Sequence, residues 1–194
     1  MACDKLAFMA AQPQFSEAKT AQVAAFFLRL HGGRMHYLKL LKLLYIADRE
    51  ALLRWGCPIT MDRYVSMDNG PVPSTAYRLV VEDIPKPNWR RYISPPVGDY
   101  EVELTPTVAP TGLLSRAEEA LIGEVFDLFG RWNRWRIVEH VHTFPEWRNP
   151  DGSSIPISLR DILEAGNRSE ATIEAVLGEL RAEAAAEQAL SGSY

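Results

Sequence analysis

Two histidines, His140 and His142, stand two residues apart beside Glu139. On a strand they would share a face and could close on a metal; on a helix they would point apart. No Asp, Glu or Cys stands near them at zinc-motif spacing, and Glu139 does not complete an HExxH helix. They read as packed or capping histidines. Cys3 and Cys57 form no CxxC pair. The chain has no GxSxG elbow, and its serines lie mostly where helices begin. No GxGxxG or GxxxxGK[ST] loop is present. The expectation is a protein without a catalytic, cofactor or metal site, hence not an enzyme.

Cations alternate with aromatics in Arg131-Trp132-Asn133-Arg134-Trp135-Arg136. Such interleaving suits stacking on single-stranded nucleic acid, and Lys86, Trp89, Arg90, Arg91 and Tyr92 could extend the patch. The plainer reading packs the tryptophans inside and lays the arginines over them. The net charge of −4 favours the plainer reading, because a general nucleic-acid binder carries a basic excess. Nucleic acid is therefore the alternative partner, served by residues 131–136.

The elements that must position these groups follow from pattern. With 194 residues, 47% hydrophobic and 24% charged, the chain fits one soluble domain with a real core. No run approaches a membrane span, and the scarcity of cysteine suits a reducing cytoplasm. Residues 1–15 read as a loose arm. Ser16 can cap a helix to about Leu30, ended by Gly32-Gly33. A second helix, about His36–Trp55, is apolar around most of its circumference and belongs at the centre. Thr60–Met67 reads as a short strand, Asp68-Asn69-Gly70-Pro71 as a turn, and Ser74–Val81 as a helix. Arg91–Ser94 and Tyr100–Leu104 suggest a hairpin. Ser115 and Glu118 form a capping box before another helix. A short helix follows at about Arg134–His142, and Ser158 and Ser169 can cap two more. The fold class expected is α+β, mostly helical: a single globular domain with a small antiparallel sheet. Residues 16–150 form its body and 151–194 a helical extension.

Three pieces of the central segment stand in order: KLLYIADRE (42–50), GCPIT (56–60) and DRYVSMDNGPVPS (62–74). A weaker fourth, EHVHTFPEW (139–147), carries a histidine followed by Pro-x-Trp. Together they resemble the SocA-like, Panacea-domain antitoxin family of type II toxin–antitoxin systems, over about Ser16–Trp147. The resemblance implies a cytoplasmic bacterial protein that neutralises a cognate protein toxin by direct binding. It implies a toxin encoded in an adjacent gene, a protease as an optional further partner, and no cofactor.

Physical reading divides the signature residues. At 100° per residue, Lys39, Lys42, Ile46, Arg49 and Leu53 share one stripe, while Asp48 falls among Leu41, Leu44, Tyr45 and Leu52. A carboxylate on an apolar face needs a partner. Arg63, or the backbone amides of Asn69–Val72, would pin the turn to the helix through Asp48. Lys39, Lys42 and Arg49 form either a solvated face or the rim of a toxin contact, with Arg63, Tyr64 and Trp132 as further candidates and Trp55 and Trp89 as optional anchors. Gly70-Pro71-Val72-Pro73 is a rigid turn that could also present contacts. Tyr45, Asp48, Asp62, Gly70, Pro71, Val72, His142 and Trp147 are the structural signature. By this reading the antitoxin motif is a folding core more than a binding face.

Overall fold

The computed structural model describes residues 14–82, 84–105 and 111–191. The expected N-terminal arm lies largely outside the described residues, as does Cys3.

Helix α1 (Glu17–Leu30) starts where Ser16 accepts the Lys19 amide on its side chain. It buries Ala21, Ala24, Ala25, Phe27 and Leu28. Strand β1 (Arg34–His36) leads directly into α2 (Tyr37–Trp55), the longest buried element. Leu40, Leu41, Leu43 and Leu44 point to different sides of α2, yet all are fully buried. This explains its apolar circumference: α1, α5 (Arg116–Phe129), α6 (Arg134–Val141) and α7 (Leu159–Ala165) pack around it. Gly56, at φ 76°, ends α2 in the left-handed conformation that glycine adopts without a Cβ clash.

The expected strand at Thr60–Met67 is shorter, β2 (Tyr64–Ser66). It pairs antiparallel with β3 (Val72–Pro73), so that Tyr64 faces Pro73 and Val65 faces Val72. Its other edge pairs with β5 (Ile155–Ile157), where Tyr64 faces Ile157 and Ser66 faces Ile155. Helix α3 (Ser74–Val81) follows β3 without a break, and α4 (Pro87–Tyr92) comes next.

The expected hairpin forms in part. Arg91 and Tyr92 belong to α4, and β4 (Glu101–Glu103) takes β1 as its partner strand, with Met35 opposite Val102. The two segments still pair irregularly through the isolated Ile93–Leu104 and Val97–Glu101 bridges, with the Ser94 amide on the Glu103 carbonyl and the Thr105 amide on the Tyr92 carbonyl. Met35 and Val102, both buried, join β1 to the other edge of β4. The fold is α+β and mostly helical, with two small antiparallel sheets.

The core has two parts. The larger joins α1, α2, α5 and α6; the smaller gathers Tyr45, Leu52 and Tyr64 with Ile157, Ile162, Leu163 and Ile173. Residues from 155 onward therefore supply one strand of the second sheet and one wall of the second core. Helix α8 (Glu170–Ser191) buries Ile173, Leu180 and Ala184 and exposes Leu190.

Candidate functional site

Helix α2 carries polar heads into the interior at four levels. Lys39 comes first. Its Nζ donates to the Gly130 carbonyl at 2.6 Å and lies 2.8 Å from His31 Nε2. One turn on, Lys42 is fully buried, and its Nζ donates to the Gly70 and Pro71 carbonyls at 2.8 and 2.9 Å. Burial holds the Lys42 ammonium well below the usual lysine range, and lowers that of Lys39. The expected solvated or rim stripe is thus corrected: helical spacing alone cannot reveal carbonyls that a distant turn brings over the helix.

Asp48 lies on the opposite side of α2, 1% exposed. It does have partners, but neither Arg63 nor the Asn69–Val72 amides. Its Oδ1 accepts from the Thr60 amide at 2.9 Å, and its Oδ2 accepts from the hydroxyls of Thr60 and Tyr64, the latter at 3.0 Å. Arg63 is exposed and takes no part. With no cation against it, burial pushes the Asp48 carboxyl up to about 6, despite the three donors.

The turn that Asp48 was expected to pin is pinned by Lys42 instead, through carbonyls and not amides. Asp62 does the complementary task. Its carboxylate accepts from the amides of Arg63, Thr75 and Ala76 at 2.6–2.9 Å, and so caps the start of α3. Burial raises its carboxyl too.

The fourth level is Tyr45 with Arg49. Tyr45 donates to Glu146 Oε1 at 2.8 Å, and the Arg49 guanidinium reaches the same oxygen at 2.7 Å. Arg49 also lies over the Phe144 ring, 4.4 Å from its centroid. Sequence reading missed Glu146. Its one signal was its place inside the FPEW element. Arg49 therefore sits largely inside the fold, not on an open stripe.

The same element closes over the Asp68–Pro71 turn. His142 stacks on Trp147 with centroids 4.1 Å apart, and Trp147 Nε1 donates to the Met67 carbonyl at 3.1 Å. Gly70, at φ +90°, backs onto Val141 and His142 so closely that a Cβ would stand 2.6 Å from Val141 Cγ2. Here glycine is required twice, for its backbone and for the contact. Neither histidine joins a metal set: among the described residues no group of three His, Cys, Asp or Glu is placed to hold an ion.

Beside this scaffold lies a cleft of about 180 Å³, lined by Tyr37, Leu38, Met67, Asp68, Asn69 and Tyr77 among others. Of the proposed contact residues, Tyr64 is buried at 3% exposure and holds Asp48. Trp89 is buried, while Trp55 is 46% exposed. Trp132 is half-buried, edge-on to Phe129 and His140, with Arg136 stacked over it at 4.1 Å. Trp135 is 53% exposed, with the Arg134 guanidinium 5.3 Å from its ring centroid. The structure thus gathers Lys42, Tyr45, Asp48, Asp62, Gly70, His142 and Trp147 into one interior network, and leaves Arg63 and the 131–136 segment outside it.

No helix among the described residues is long and apolar enough to cross a membrane. Comparison with curated proteins and with solved structures gave no match. The family model described as "Antitoxin SocA-like, Panacea domain" matches residues 40–148, a span that holds all four sequence elements and every level of the interior network from Lys42 onward. Covering more than half of the chain, this match places the protein in the SocA-like, Panacea-domain antitoxin family.

Proposed function

We propose that the protein is an antitoxin that neutralises a protein toxin by direct, stoichiometric contact, without catalysing a reaction. The family match over 40–148 carries this reading. The architecture supports it: the signature residues build a rigid frame, which leaves outward-facing side chains to vary with the partner. A complex of this kind buries about 1,200–2,000 Å² in total, with a few aromatic or arginine anchors at its centre. Occlusion of the toxin's working surface is the mechanism proposed, and delivery to a protease is an optional second step.

Co-expression with the open reading frame beside the coding sequence tests this. Restored growth, together with a complex of fixed stoichiometry on size-exclusion chromatography, is expected. If growth is not restored and no complex forms, the reading fails. Loss of the toxin over time in cells, dependent on an energy-driven protease, would separate delivery from simple occlusion.

A further inference from the structure

Residues 130–138 carry three arginines and no acidic residue, in a chain whose net charge is −4. Arg131 and Arg136 are exposed and Arg134 is half-buried. None of the three makes an ion pair or donates a hydrogen bond to another described residue. This sets them apart from Arg34, Arg49, Arg54, Arg78, Arg148 and Arg160, each of which meets a carboxylate.

The segment is also held in place. Asn133 caps α6 by accepting the Trp135 and Arg136 amides at 3.0 and 2.9 Å, so the helix's first amides are already used. Trp132 is wedged edge-on against Phe129 and His140, and the Arg136 guanidinium carbon lies over it, 4.1 Å from the ring centroid. Arg134 lies over Trp135, whose ring is half open to solvent. Contact with a ring restrains the Arg134 and Arg136 heads and leaves N–H groups for a ligand. Arg134 also reaches the neighbourhood of His36, whose imidazolium is disfavoured by burial first and by Arg134 next. His36 in turn stacks with Tyr37, and Tyr100, 63% exposed, packs against both. Asp99 and Glu101 lie on this side as well, and Glu101 is engaged by Arg34.

We propose that the exposed first turn of α6, with Arg131 just before it, is the docking surface for an acidic protein segment that wraps the turn, its carboxylates pairing with Arg131, Arg134 and Arg136 on either side of Trp135 while an apolar side chain covers that ring. Oriented guanidinium forks match carboxylates two bonds at a time, and an exposed tryptophan beside them is the composition of an interface centre. A protein partner fits better than single-stranded nucleic acid. Trp132 lies under Arg136, Trp135 and Tyr100 are the open rings on this side, and a net charge of −4 disfavours a long polyanionic strand. That the segment belongs to a toxin rests on the proposed antitoxin function; the surface chemistry does not.

The test uses the full chain and fluorescently labelled poly-L-glutamate, with labelled oligo-dT as the competing class, both read by anisotropy at low salt. The triple variant R131A/R134A/R136A is compared with R63A/R116A/R181A, which removes three exposed arginines elsewhere and the same net charge. The expected result is that the α6 triple weakens polyglutamate binding about tenfold or more, W135A weakens it several-fold, and the control triple changes it less than about twofold. Equal losses in both triples, no polyglutamate binding, or tighter oligo-dT binding would overturn the proposal. So would a dimer that salt dissociates and the α6 triple abolishes, because the face would then belong to a second copy. Circular-dichroism melts confirm that the variants fold. In the co-expression assay, the α6 triple is expected to lose rescue. Rescue retained by it sinks this inference and leaves the antitoxin reading standing. No rescue even by wild type removes the antitoxin reading, while the polyglutamate arm still decides the face.

Discussion

The interior of α2 and the start of α6 use the same residue types to opposite ends. In α2, Lys42 and Arg49 have their heads engaged by carbonyls or a carboxylate inside the fold. At α6, Arg131, Arg134 and Arg136 meet rings or solvent and no anion. A cation brought into the interior must be satisfied there, because the folded chain excludes the water that would otherwise do so. A cation stacked on an exposed tryptophan remains available to a partner. The family signature maps onto the first region and says little about what the second recognises.

The comparison breaks first at Gly70 if the interior network is less rigid than its geometry indicates. Gly70→Ala puts a Cβ 2.6 Å from Val141 Cγ2 at a φ of +90°. Overpacking and the unfavourable backbone together should cost about 3 kcal/mol or more. Urea denaturation would read this, and a loss under about 1 kcal/mol would mean that the turn and α6 yield easily.

Asp48→Ala comes next. It leaves the Thr60 amide and the Thr60 and Tyr64 hydroxyls without their acceptor in a fully buried site. A cost of about 2–3 kcal/mol is expected. Asp48→Asn keeps an acceptor for the Thr60 amide and should lie much closer to wild type. If the alanine variant were as stable as wild type, the pinning of the 60–64 segment would have to come from elsewhere.

The chain announced much of this scaffold. Ser16, Ser115 and Ser158 each mark a helix start by a local rule, and each does so in the structure. The burial of α2 and the need of Asp48 for a partner were legible for the same reason: both are properties of one helix. What was not legible depends on contacts between remote segments. Strands β1 and β5 have three residues each, too few to show alternation, and β4 takes β1, far back in the sequence, as its partner strand. Lys42 looked solvent-facing because the carbonyls that hold it come from a turn nearly thirty residues away. Glu146 gave no periodic signal at all, since it lies in the irregular stretch after α6.

The next effect is a pH dependence that sharpens the contrast between carboxylates inside the network. Glu146 faces Arg49, whereas Asp48 faces only neutral donors. The folded-state carboxyl of Asp48, at about 6, lies above its usual value of 3.8. The folded chain therefore binds the proton more tightly than the unfolded one. The Asp48 contribution to stability is greatest below pH about 4 and is lost as pH rises through about 6. Relative to Asp48→Asn, which is neutral throughout, wild type should gain about 1 kcal/mol between about pH 7 and pH 5. Denaturation of both proteins at the two pH values isolates this site from other titrating groups. A constant difference would mean that Asp48 is already well stabilised as a carboxylate.

The smallest expected effect is the most discriminating for the surface. Removing Arg136 takes a guanidinium from the Trp132 face, and removing Arg131 takes away a group with no ion-pair partner among the described residues. Exposed cation–π contacts contribute about 0.5–1 kcal/mol, and an unpaired surface arginine contributes less. Arg136→Ala should therefore cost no more than about 1 kcal/mol, and Arg131→Ala should fall within about 0.5 kcal/mol of wild type. A loss of several kcal/mol at either position would show that these arginines hold the fold together, as Arg49 does. The distinction between an engaged interior and an available surface would then disappear. Near-wild-type stability, measured on the same variants that lose polyglutamate, ties the lost binding to the surface chemistry and not to unfolding.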